Sequence, residues 1–192
     1  MDTKNLSIVR QSFAGSVFTH QVHEFAASKK REKVQYIKKL NILLVSIVLI
    51  LLVLQSLKPD NLIFSYLASG LTISEIIFLI TQLTFNFEHE SLLHKNSALK
   101  YMSIRDRYRL LITDIMNEKS SKKDIHERRN ALQNEYQSIS DLSPATTEDD
   151  YLGAQKLLGL NGVGEQFTWS DKEIDRFLPE ELKLSAFKKK AS

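Results

Sequence analysis

Glu75 is the residue of this chain best placed to do chemistry. It lies near the middle of an apolar run, Leu62–Phe85, where a carboxylate costs several kcal/mol on insertion scales. At about 100° per residue, Ser65, Ser69, Thr72, Glu75 and Gln82 fall within an arc of roughly 140°. Ala68 and Leu79 interrupt that stripe. Two chemistries fit it. It can line or gate a water-filled path between several copies of the helix. It can equally be a polar seam, in which hydroxyls and a carboxyl hydrogen-bond neighbouring helices. One helical hairpin cannot enclose an aqueous pore, so conduction requires several copies.

Other candidates are weaker. His20 and His23 stand at i, i+3 on a helix, but two histidines are half a metal site and only Glu24 is near them in sequence. A solvated helix face is the expected role. Gly159, Gly162 and Gly164 match neither a dinucleotide loop nor a P-loop; a helix C-cap and a turn account for them. No Ser/His/Asp arrangement stands out. The chain has no cysteine, which removes disulfides, thiol catalysis and cysteine-bound metals. No catalytic residue, metal or cofactor is therefore expected, and the chain does not read as an enzyme. A net charge of +3 is too weak to point to nucleic acid.

The element that must position Glu75 is a membrane hairpin. Leu40–Leu57 and Leu62–Phe85 are two apolar stretches joined by Lys58, Pro59, Asp60 and Asn61. As helices they reach about 27 and 36 Å, against a bilayer core of about 30 Å. A soluble core helix would show a polar face, yet Ile42–Leu54 offers only Ser46. The mean hydropathy of −0.21 hides this concentration of apolar residues. In the second span, Gly70 and Ser74 form a small-xxx-small pair that permits close helix packing, as do Ser65 and Ser69.

Lys29, Lys30, Arg31, Lys33, Lys38 and Lys39 precede the first span, against Glu32 alone. Lys95, Lys100, Arg105, Arg107 and Arg109 follow the second, and the turn holds only Lys58. This asymmetry predicts both termini in the cytoplasm. The cluster at 29–39 acts as a topology determinant and can also hold anionic headgroups.

The flanks read as helices. Val9, Phe13, Val17, Phe18, Val22 and Phe25 recur at helical spacing, predicting an amphipathic helix that packs on the cytosolic helices or on the bilayer. No Gly or Pro falls between Gly15 and Pro59, or between Gly70 and Pro144. Both spans can thus run on into the cytosol, the second from about Asn61 to Glu118. Tyr101, Ile104, Tyr108, Leu111 and Ile115 form one stripe; Ile125, Arg129, Leu132, Tyr136 and Ile139 form another. An antiparallel cytosolic helical hairpin follows. Ser121 with Asp124, Thr147 with Asp150 and Ser170 with Glu173 match capping boxes, and Trp169 and Ile174 occupy staple positions. A loop over Gly159–Gln166 and a frayed basic end at Phe187–Ser192 complete the chain. The expected fold is an all-α membrane protein: a two-span transmembrane hairpin with long cytosolic helical extensions and a short C-terminal helical tail. Its parts are 1–39 (cytosolic N-terminal helix), 40–85 (hairpin, spans 40–57 and 62–85), 86–142 (cytosolic helical hairpin) and 143–192 (short helices and tail).

As a whole this pattern resembles the SLATT domain, the SMODS and SLOG-associating two-transmembrane effectors of bacterial conflict systems. SKKREKVQYIKKLN before the first span, RDRYRLLITDI after the second, and RRNALQNEYQSISDLSPATTEDDY carry the resemblance, over roughly residues 10–158. It implies an oligomeric pore-forming or membrane-disrupting effector of the inner membrane, acting in anti-phage defence downstream of nucleotide signalling. The implied partners are the lipid bilayer, further copies of the chain, and a nucleotide-synthesising or nucleotide-sensing protein. Residues 159–192 are too short for one of the larger sensors, so a separate partner or a small pocket between protomers would supply the trigger. The alternative is a non-conducting membrane anchor that recruits a cytosolic partner through its helices.

Overall fold

The computed structural model describes residues 3–160 and 168–184. Gly162, Gly164, most of the expected loop and the basic end lie outside the described residues. The order is α1 (Thr3–Leu57), α2 (Ile63–Thr84), α3 (Phe87–Met116), α4 (Lys122–Leu142), α5 (Glu148–Leu157), α6 (Asp171–Asp175) and a 3-10 turn at Glu180–Leu182. No strand occurs among the described residues. The all-α membrane fold expected from the apolar runs is the one observed.

Lacking an interior Pro, α1 runs unbroken for 55 residues, about 82 Å. The second long helix differs from expectation. It breaks at Phe85 and Asn86 instead of continuing from Asn61 to Glu118. Asn86 is the physical reason. Its Oδ1 accepts the His89 amide at 3.0 Å, starting a new helix as a side-chain cap does. The end of α3 is marked by Glu118 at φ 54°.

The chain divides into two compact units. The first joins residues 1–27 to 93–192. The stripes on α3 and α4 pack here as expected, with the N-terminal part of α1 as a third member. Leu6, Val9, Phe13 and Val17 share one core with Tyr101, Ile104, Tyr108, Leu111, Ile115, Ile125, Leu132 and Ile139. Packing on helices is thus the outcome for the amphipathic N-terminus. Arg129 does not join the apolar core; it donates to Asn5 Oδ1 at 3.1 Å.

All three expected N-caps form. Ser121 accepts the Asp124 amide at 3.2 Å. Thr147–Asp150 and Ser170–Glu173 are full reciprocal boxes. Gly159 follows α5 at φ +63°, a left-handed conformation that favours glycine at a helix end. Gly153 is required for another reason: a Cβ there would lie 2.4 Å from the Phe25 ring.

The second unit, residues 28–92, is the hairpin. Its long helices lie antiparallel, tied at the turn by Gln55. That side chain accepts the Ser65 amide at 3.0 Å and donates to the Pro59 carbonyl at 3.3 Å.

Candidate functional site

The hairpin presents lipid-soluble surface nearly everywhere. Almost none of the apolar stretch in either helix is buried, and Ile42, Leu49, Ile50, Val53, Leu67, Ile73, Ile77 and Ile80 are exposed. The half-buried positions recur every three or four residues. On α1 they are Leu40, Asn41, Leu44, Val48, Leu51, Leu54 and Gln55; on α2 they are Phe64, Ser65, Leu71, Glu75, Phe78 and Gln82, with Ala68 fully buried. These are the faces the two helices turn toward each other.

That arrangement divides the polar stripe. Ser65, Glu75 and Gln82 lie on the half-buried face, whereas Ser69 and Thr72 are exposed. Thr72 donates to the Ala68 carbonyl at 2.8 Å, satisfying its hydroxyl within its own helix. Gly70 and Ser74 are exposed, and nothing lies within 4 Å of a Cβ built at Gly70. Ser74 donates to the Gly70 carbonyl at 3.0 Å. Within one chain, then, the stripe is partly an intrahelical matter and partly a seam against α1.

Asn41 was not singled out by sequence reasoning, yet it belongs with Gln82. The antiparallel register set by Gln55 with Ser65 and by Lys38 with Glu88 brings the two amides to one level of the hairpin. Asn41 Oδ1 and Gln82 Nε2 are buried without a hydrogen-bond partner. A buried amide left so costs roughly 1–3 kcal/mol. A lone Asn opening an otherwise lipophilic run was the available signal. Gln82 also lines a cleft of about 90 Å³ with Val34, Ile37, Lys38, Phe85, Asn86, Phe87 and Glu88, where α2 gives way to α3.

The basic cluster is less free than its charge suggests. Lys30 pairs with Glu90 at 2.5 Å and Lys38 with Glu88 at 3.3 Å. Lys33 sits 4.0 Å over the Phe87 ring. Lys29 also has a polar or ring neighbour, while the side chains of Arg31 and Lys39 are exposed. The acids beginning α3 were legible in the sequence as FEHE, and they face this cluster.

Among chemistry-bearing groups outside the spans, the histidines depart from expectation. His23 is buried, not on a solvated face, at 4 % exposure, with His94 at 1 %. Their Nδ1 atoms are 3.1 Å apart. His23 stacks on Tyr101, centroids 5.4 Å apart, and His20 Nδ1 donates to the Ala98 carbonyl at 2.9 Å. Burial drives the His23 pKa down to about 4, and the adjacent His94 adds to the shift; Asp150 opposes them and His20 contributes a little. His23 is therefore held neutral in the fold.

Residues 6–173 match the family model for SMODS and SLOG-associating 2TM effector domain family 4. No curated protein and no solved structure matches the chain.

Proposed function

Since the chain belongs to SMODS and SLOG-associating 2TM effector domain family 4, we propose that it is an oligomeric effector that breaches the bacterial inner membrane in anti-phage defence. The family implies a membrane effector of conflict systems. In this reading both termini are cytoplasmic, nucleotide signalling lies upstream, and the signal arrives through a nucleotide-synthesising or nucleotide-sensing partner. The observation that carries it is the hairpin: two spans with almost wholly exposed apolar surface, one of them bearing polar groups on two faces. Copies assembling through Gly70 and Ser74 would leave Ser69 and Thr72, about 100° or more away around α2, on a separate flank free to meet water or a further copy. A path past Glu75 and Gln82 requires α2 to turn relative to α1 on activation.

Expressing the full chain with and without its neighbouring genes, while following growth and membrane potential, tests this. The expected outcome is depolarisation and growth arrest when the neighbours are activated. A polarised, growing culture under every condition would end the proposal.

A non-conducting anchor is favoured by one observation: Glu75 and Gln82 face α1 within a single chain, as a structural seam would. Glu75→Gln and Glu75→Leu separate the readings. A pore-lining carboxylate alters ion selectivity when neutralised; a structural one alters oligomer yield. A partner-binding fragment for the anchor reading must retain residues 3–27, because Leu6, Val9, Phe13 and Val17 complete the core of α3 and α4.

A further inference from the structure

Arg10 is an unusual residue to find inside a helical core. Its side chain is 1 % exposed, and a buried guanidinium is tolerated only with charged or hydrogen-bonding partners. Among the described residues, its hydrogen-bonding and charged partners come from residues 168–184. Arg10 Nη2 binds Asp175 Oδ1 at 2.7 Å and lies 3.6 Å from Asp171 Oδ1. Arg10 Nη1 donates to the Leu182 carbonyl at 3.3 Å.

The adjacent Gln11 binds the same segment. Its Nε2 donates to the Trp169 carbonyl at 2.6 Å, and its Oε1 accepts the Trp169 amide at 2.8 Å. Ile174 and Leu178 are buried in the shared core, and Phe177, Leu182 and Leu184 pack on it. Arg176 closes the other side, donating to the Leu158 and Gly159 carbonyls at the end of α5 at 2.8 and 3.1 Å.

This segment cannot hold its shape alone. Its helix is five residues long and its 3-10 turn three, far below the length at which an isolated helix persists. Its order depends on the surface of α1. The dependence runs both ways. With the segment undocked, the Arg10 guanidinium loses both carboxylates, so α1 must shift to bring it to water or to another anion. The Nε of Arg10 is buried without an acceptor even in the docked form, which favours that shift. The helix that would move is the one that continues without a break to Leu57. The family match ends at residue 173, so Asp175, Arg176 and Leu182 lie beyond the matched stretch, while Arg10 and Gln11 lie within it.

We propose that residues 168–184 are a built-in clamp: docked on Arg10 and Gln11 they hold α1 in the resting form, and their release switches the hairpin. This rests on the effector reading above. The test uses the full chain in its native membrane, with Asp175→Arg, the swap Arg10→Asp/Asp175→Arg, and Gln11→Ala, which leaves the buried charge untouched should a charge reversal fail to fold. Hydrogen exchange reports docking, and membrane potential reports switching.

In Asp175→Arg and Gln11→Ala, amides of 168–184 are expected to exchange faster, on the order of a hundredfold for the charge reversal. Tyr101–Ile115 should keep their protection, and the cells should depolarise without the activating neighbours. The swap should restore protection and potential. If the segment is freed in either variant while the cells stay polarised, and the unmodified chain still depolarises with its neighbours, the clamp is overturned and the effector reading stands. If the unmodified chain never depolarises under any condition, the effector reading falls and takes the clamp with it.

Discussion

The two units of this chain treat apolar side chains in opposite ways. In the unit built from residues 1–27 and 93–192, Phe13, Ile104, Tyr108 and Leu111 are at most 1 % exposed. In the hairpin, Ile42, Leu49, Ile50 and Ile73 are each more than half exposed. One α1 helix serves both regimes, so helix formation itself does not distinguish them. The solvent does. The first unit gains stability by removing apolar area from water, at about 25 cal/mol per Å². The hairpin has little buried apolar surface and needs a hydrocarbon surround, in which the helical backbone satisfies its own hydrogen bonds.

Truncation should separate the regimes most strongly. Phe13→Ala removes a ring from the three-helix core and should destabilise that unit by about 3–5 kcal/mol. Leu52→Ala, at a half-exposed position of the first span, should change the unfolding of the same unit by less than about 0.5 kcal/mol. Urea unfolding followed by tryptophan fluorescence reads both, since Trp169 packs on the core. Comparable losses would erase the distinction.

Charge gives the second contrast. Ile50→Lys on the lipid-facing surface should oppose insertion by about 3 kcal/mol, read as the membrane-inserted fraction. Leu142→Lys, at 80 % exposure on the other unit, should leave both insertion and stability near their original values.

The third prediction concerns pH. His23 is held neutral with a pKa near 4, whereas the unfolded chain takes up that proton near pH 6.5. The depressed value makes the unfolded state bind more protons between these limits. Stability is therefore complete above pH 6.5 and declines as pH falls toward 4, by about 3 kcal/mol in all. His23→Gln should flatten this part of the pH profile of the unfolding midpoint.

What the sequence disclosed follows from how far each determinant reaches. The spans, the stripe from Tyr101 to Ile115 and the caps at Ser121, Thr147 and Ser170 are local patterns, and each appears where its spacing places it. The break at Asn86 is also local, but a single Asn cap carries less signal than a Gly or Pro. Burial of Arg10 and His23 was not legible, because their partners are remote: Asp175 is 165 residues from Arg10, and His94 is 71 from His23. The polar stripe was legible as a set. How it divides between a face toward α1 and an exposed face depends on hairpin register, which Gln55 and the Lys38–Glu88 pair help to set.

The proposed function requires the hairpin to conduct when assembled and switched. Its most direct test is a planar-bilayer recording of the full-length chain with its activating partner, comparing the unmodified protein with Glu75→Gln. Discrete conductance is expected in both, with a shifted reversal potential in the variant. A silent bilayer for the unmodified protein, with assembly intact, would contradict it.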